Sequence, residues 1–345
     1  MPPAPRERFR QGGVVPAHPL ALDQDRKLDE RRQRALTRYY IEAGAAGLAV
    51  AVHTTQFGLH DRARGMLAPV LELAATTAGE YPGDATMLVA GVVGPTEHAV
   101  AEAELAASLG YDMVLLTPYG AGDVDESQLL ERARAVGEVL PVIGFYLQPA
   151  VGGRPLSRDF WSGLAQLPSV VGIKIAPFDR YATLDVVHGV AQSGRADDVA
   201  LYTGNDDNIV GDLVNTYSVP GGQLHIVGGL LGQWAVWVRE AVRILRWAQQ
   251  ARGGDDAALR RLVELDPALT DANAALFDAA NGFRGCVPGI HEALRRQGLL
   301  EGLWCLDEDE RLSPGQLREI DRIWAAYPHL RDDEFIHENL DRWLA

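Results

Sequence analysis

Eight short apolar runs, regularly spaced, decide what this chain can fold into. They fall at residues 12–22, 48–54, 87–93, 113–117, 142–147, 170–175, 199–203 and 224–227. Between them lie amphipathic or alanine-rich stretches of helical length, such as 27–43, which Gly44 ends, and the one that stops at Gly110. Glycine is the common residue just past a helix. Strands that alternate with helices build βαβ units, and such units lay their strands side by side in one parallel sheet. Eight units in about 250 residues predict an α/β protein of the closed (β/α)8 TIM-barrel type. A doubly wound open sheet is the alternative, but no glycine fingerprint opens the first helix.

The flanks read differently. Residues 1–11 are polar and proline-rich and are expected as a flexible N-terminal arm. The barrel then takes 12–251. Residues 252–345 have helical periodicity and no convincing strand, which predicts a C-terminal helical extension packed on the barrel. Its aromatic residues, Trp304, Trp324, Phe335 and Trp343, are expected in the core or at subunit contacts. A formal charge of −15 argues against nucleic acid or an anionic membrane as partner. No apolar run approaches the ~20 residues needed to span a bilayer, and the amino terminus lacks a signal-peptide pattern. The two cysteines, Cys286 and Cys305, form no metal-ligand spacing and no disulfide framework. A cytoplasmic protein without cofactor or metal is the expectation.

Chemistry collects in the stretch from Pro141 to Tyr181. Lys174 stands near the end of a run otherwise made of Val170, Val171, Ile173 and Ile175. Strands of a parallel sheet are normally apolar throughout, so a lysine there is out of place. Burial disfavours its ammonium form and lowers its pKa from about 10.4. A neutral amine attacks carbonyl carbon, which makes Lys174 a candidate Schiff-base former. An edge lysine snorkelling to solvent is the ordinary alternative. Tyr146 stands near the end of the preceding run, as a candidate acid–base group.

The ordered set of motifs resembles the dihydrodipicolinate synthase / N-acetylneuraminate lyase family, class I aldolases and lyases of pyruvate-type 2-oxo acids. Its carriers are Gly172-Ile173-Lys174, the Tyr146-x-x-Pro149 one strand earlier, Thr54-Thr55, Thr117-Pro118-Tyr119 and Gly204-Asn205-Asp206. The resemblance spans roughly residues 12–300. It implies that Lys174 forms an imine with a 2-oxo acid and that Tyr146 shuttles protons. Thr54 and Thr55 would hold the substrate carboxylate, although two threonines there also suit a helix cap. Asn205 and Asp206 are similar to the stretch that binds sugar hydroxyls, and an N-cap would suit them equally. Because barrel sites lie at the C-terminal strand ends, His53, Tyr119, Gly204 and His225 join the list of substrate-binding candidates. Either histidine could instead be a packing residue. A homodimer or homotetramer is implied as well.

Departures from the family pattern limit the substrate. Gly120 stands where a second tyrosine is expected, and Val151 where an arginine binds the second substrate's carboxylate. Both argue against dihydrodipicolinate synthesis. Ala176 replaces a threonine of the neuraminate lyases, which argues against sialic acid. The family's G-T-T-G-E turn has become His53-Thr54-Thr55-Gln56-Phe57. The loops after the last two strands offer acids or no charge, so an unphosphorylated 2-oxo acid or sugar-derived keto acid is expected. A non-catalytic small-molecule binder on the same barrel is the second reading.

Overall fold

The computed structural model describes residues 4–81 and 86–345. Its strands are β1 (Gly47–Val50), β2 (Met87–Val92), β3 (Met113–Leu116), β4 (Val142–Leu147), β5 (Val170–Ala176), β6 (Ala200–Thr203), β7 (Tyr217–Val219), β8 (Gly222–Leu224) and β9 (Ile226–Gly229). Seven of them form one parallel sheet in the order β1-β2-β3-β4-β5-β6-β9. Helices such as Thr96–Ser108, Glu126–Gly137 and Arg180–Gln192 make the crossovers. All residues of β1 to β6 are buried, as strands covered on both faces must be. Among the described residues, no helix is long and apolar enough to cross a membrane.

Two expectations about strands need correction. The run at 12–22 is not a continuous strand, because Pro16 and Pro19 lack the N–H groups a ladder requires. It lies between β9 and β1 and bridges each once, Val14 with Gly229 and Ala17 with Ala49. Val15 N donates to Gly229 O (3.0 Å) and His18 N to Ala49 O (2.8 Å), so the two sheet edges are joined through it. The run at 224–227 is split: Leu224 ends an antiparallel hairpin with β7, turned at Gly221, and β9 begins at Ile226.

Of the flexible arm expected over 1–11, residues 1–3 lie outside the described residues, and Pro5–Gln11 form a helix. Its Phe9 is fully buried at the foot of the sheet, stacked on Tyr202 with centroids 4.2 Å apart. Tyr202 donates its hydroxyl proton to Phe9 O (2.6 Å). A Cβ at Gly172 would come within 2.5 Å of the Phe9 ring, so glycine there makes room for this plug.

One irregularity aims the chemistry. Val142 pairs with Val170, but Ile143 pairs with Gly172, so Val171 is an extra residue on β5. Such a bulge shifts the in–out alternation by one. Beyond it, Lys174 and Ala176 face the sheet interior with Phe145 and Leu147, while Ile173 and Ile175 pack against the outer helices. The C-terminal region is helical, with long elements at Val238–Arg252, Asp256–Leu276, Cys286–Arg296, Gln316–Ala326 and Asp333–Trp343. The aromatic residues expected there as core include Trp343, which is fully buried against Tyr39.

Candidate active site

Lys174 occupies the C-terminal end of β5, 6 % exposed, inside a narrow, partly enclosed cavity. Burial lowers its pKa to about 8, against the pull of the Asp206 carboxylate, which favours the ammonium. Near neutrality a useful fraction of the amine is therefore unprotonated. Its Nζ stands 4.1 Å over the ring of Phe145 on the neighbouring strand. Gly204, at the end of β6, is needed for space: a Cβ there would lie 2.8 Å from Lys174 Cε and 2.7 Å from Ala176 Cβ.

Asp206 follows β6 and lines the same cavity. Its Oδ1 accepts from Gln233 N (2.9 Å), and its backbone oxygen accepts from Asn273 Nδ2 (2.7 Å). Burial pushes its carboxyl up to about 7, partly opposed by that hydrogen bond and by Lys174. Lys174 and Asp206 thus titrate within a narrow range of one another, each charge favouring the other. His53 reaches the cavity from the turn after β1, and burial, with Lys174 nearby, lowers its pKa to about 4. A neutral imidazole can donate and accept but adds no positive charge.

The threonines hold the scaffold together. Thr54 Oγ1 donates to Ala17 O (2.7 Å) and Thr55 Oγ1 to His18 O (2.6 Å), clamping the bridging segment onto the turn. Thr54 also lines the cavity, and Thr55 does not. Asn205 is fully buried and turned away: its Oδ1 accepts from Phe178 N (3.0 Å) and its Nδ2 donates to Asp212 (2.9 Å). It shapes the loop that carries Phe178 rather than facing a ligand.

Three sequence candidates lie elsewhere. Tyr146 pairs with Ile175 across the strands, on the face opposite Phe145 and Lys174. Its ring packs on Trp161 (centroids 4.9 Å apart) and its hydroxyl accepts a long bond from Leu156 N (3.4 Å). Phe145 fills the inward place where the tyrosine was expected. His225 precedes β9, at the end of the strand away from the cavity, with Nδ1 buried and unpartnered. Tyr119 belongs to an outer chamber, where it stacks on Phe57 with centroids 4.1 Å apart. That chamber shares His53, Val151 and Phe283 with the inner cavity and carries Arg64, Asp307, Glu308 and Glu310.

The roof was missed by sequence reasoning. Phe178 comes from the loop after β5, and Phe277, Phe283 and Cys286 come from the C-terminal region. Phe178 and Phe283 meet edge to face, 5.4 Å apart, and both have left-handed backbone, φ 56° and 66°. Bulky residues seldom adopt that region, and holding one there costs ~1–3 kcal/mol. The signal available in the sequence was the glycine-rich stretch Asn281–Cys286, which reads only as a break between helices.

The family model for the dihydrodipicolinate synthetase family matches residues 10–228. The chain belongs to the dihydrodipicolinate synthetase family. Within that family it is 32% identical over 169 residues to an uncharacterized DapA-like lyase of Halobacterium salinarum, covering 47% of this chain and 52% of the relative. The chain thus spans about half the length of that curated relative. It is 29% identical over 222 residues to the N-acetylneuraminate lyase of Citrobacter koseri, covering 61% and 70% of the two chains. Among solved structures, dihydrodipicolinate synthase from Thermotoga maritima superposes with a TM-score of 0.74 at 20% identity, over 91% of this chain and 98% of the other. N-acetylneuraminate lyase from Fusobacterium nucleatum gives 0.72 at 17% identity, over 92% and 99%. At such identities the superpositions speak for the fold, and within this family member the site must be judged on its own residues.

Those residues include the departures. Gly120 has φ 70° and its Cβ position lies 3.3 Å from Gly94 Cα, so glycine suits the backbone there. Val151 lines both the inner cavity and the outer chamber. No arginine is found among the described residues lining the inner cavity.

Proposed function

We propose that the chain is a class I, Schiff-base-forming lyase or aldolase of a pyruvate-type 2-oxo acid, working at the mouth of a (β/α)8 barrel. The observation that carries this reading is the Lys174 amine, enclosed at a strand end with its pKa lowered to about 8 by burial. Membership of the family supports a lyase in general. A small-molecule 2-oxo acid as substrate and a homo-oligomeric assembly are parts of the same proposal.

The chemistry runs through three groups. The neutral Lys174 amine adds to the ketone carbon, and loss of water leaves a protonated imine. When the bond between the third and fourth substrate carbons breaks, its electron pair flows into the imine to give an enamine. The hydroxyl on the fourth carbon becomes an aldehyde and gives its proton to a base. Tyr146 is turned away, so the base we assign is Asp206, whose carboxyl changes protonation near pH 7. Protonation of the enamine and hydrolysis then release pyruvate and restore the amine. Because the Thr54 hydroxyl proton goes to Ala17 O, the backbone N–H groups of the turn at His53 and Thr54 are assigned to the substrate carboxylate.

Borohydride with pyruvate tests the reading. The expected result is one reduced pyruvate adduct per chain, mapped to Lys174. No adduct with any of a panel of 2-oxo acids, on folded protein, would reject it.

A further inference from the structure

The end of the sheet opposite the cavity is closed by the chain's own N-terminal helix, Pro5–Gln11, whose buried residue is Phe9. The Phe9 ring lies parallel to that of Tyr202, with 6° between planes and 4.2 Å between centroids. The Tyr202 hydroxyl donates to the Phe9 backbone oxygen at 2.6 Å. Two strand glycines make room for the pair. A Cβ at Gly172, on β5, would come within 2.5 Å of the Phe9 ring, and one at Gly228, on β9, within 2.8 Å of the Tyr202 ring. Glycine weakens a strand interior and marks places where another group comes close. Both neighbours of β6 thus give up a side chain to admit one stacked pair.

That pair stands beneath the amine. Tyr202 is the register partner of Lys174 across β5 and β6. Phe9 covers Gly172, two residues before Lys174 on the same face of the strand. The two side chains leave the sheet in opposite directions. Tyr202 turns down to the Phe9 carbonyl, whereas Lys174 Cε reaches toward Gly204 at the mouth. Solvent comes close from below, in a surface groove lined by Arg6, Glu7, Arg10 and Val171. Val171 packs in the same interior cluster as Phe9 and Tyr202, so the groove reaches that layer. At its exposed face the helix is held by two long bonds, Arg6 Nη2 to Pro168 O (3.2 Å) and Arg10 Nη1 to Asp197 O (3.3 Å). The aromatic pair is its anchor.

We propose that this helix is the floor of the reaction site: Phe9, acting through Tyr202, keeps water from reaching the Lys174 amine from below, and both are positioning residues for imine formation. The inference rests on the Schiff-base reading for its use, but the seal belongs to the fold and is measurable without any substrate. The titratable groups that face the amine from other elements are Asp206 after β6, His53 after β1 and Cys286 in the roof. On the floor side stands the Tyr202 phenol, which burial keeps protonated. The floor therefore acts by excluding water rather than by charge.

The chain contains two lysines, Lys27 and Lys174. Lysine-labelled protein thus gives two sets of side-chain NMR signals, with the exposed Lys27 as internal reference. Phe9→Ala opens a path from the groove and should raise the Lys174 midpoint above its parent value of about 8, enough to cut the free amine at pH 7 about tenfold. Borohydride trapping of pyruvate at pH 7 should slow by the same factor. Phe9→Met, whose flexible side chain refills the space, should restore both. Leu164→Ala opens a hole on the other face of the sheet, where Leu164 packs over Gly144, and should lower stability without moving the midpoint. Where Phe9→Ala fails to fold, Phe9→Val carries the test, with a smaller shift in the same direction.

An unmoved midpoint in the folded Phe9 variants overturns the inference. An equal shift in Leu164→Ala does so too, because the effect would then be general loosening. A parent protein that traps no 2-oxo acid, with the Phe9 shift intact in the titration, would reject the Schiff-base reading and leave the floor's control of the amine standing.

Discussion

Lys174 and Phe145 are paired across adjacent strands, with the amine nitrogen 4.1 Å above the centre of the ring. Two effects oppose each other there. The ring's negative face favours the ammonium by ~0.5–2 kcal/mol, while the burial it helps to create favours the amine. Burial is the larger influence on Lys174, and the ring's net role is to keep water away.

Phe145→Ala should therefore admit water and move the Lys174 pKa from about 8 toward 10.5. Each unit of that rise lowers the free amine at pH 7 about tenfold. The initial rate of pyruvate trapping against pH reads the midpoint directly. A midpoint that stays put or falls would assign the lowered pKa to another cause.

Tyr146→Phe should leave turnover close to that of the parent protein. The hydroxyl lies on the helix-facing side of β4 and loses one long contact with Leu156 N, worth about 0.5–1.5 kcal/mol of stability at most. Had it been the proton shuttle, kcat would drop by roughly 10²–10⁴. Steady-state rates with any 2-oxo acid that is turned over decide between the two.

Asp206→Asn separates attachment from proton transfer. Trapping with pyruvate should survive, since the amine is untouched, while turnover falls by roughly 10²–10⁴. The carboxylate raises the Lys174 pKa, so its loss should lower the midpoint of trapping. A fall in turnover without any downward shift would argue that the two groups do not share a field.

Lys174→Met should stabilise the fold near neutrality. The folded protein holds the lysine proton less tightly than the unfolded chain, with a pKa of about 8 against 10.5. The unfolded state thus binds more protons between these values, and stability rises with pH across that window. Below pH 8 the full penalty applies, on the order of 3 kcal/mol. Denaturant midpoints at pH 7 and pH 10 should therefore differ more between parent and variant at the lower pH.

The repeat of strand and helix was legible because a buried parallel strand admits little but apolar residues, and β2 to β6 follow that pattern closely. Lys174 was legible for the same reason, as the one charged residue in those strands. What misled was spacing. The interval from Tyr146 to Lys174 fits the family, yet the extra residue at Val171 sets which face Lys174 takes, and the pairing gives Phe145, not Tyr146, the same face. A bulge leaves no mark in a run of valines. The proline-broken first run could be placed but not shaped, since two isolated bridges do the work of a strand. The roof was invisible because Phe277, Phe283 and Cys286 lie some hundred residues from Lys174 in a region without sheet periodicity.

That roof has a consequence for how the protein comes into being. The strands are all synthesised by Gly229, but the segment that covers Lys174 runs from Phe277 to Cys286. Burial of Lys174, and with it the lowered pKa, is thus complete only once the last third of the chain has folded over the strand ends.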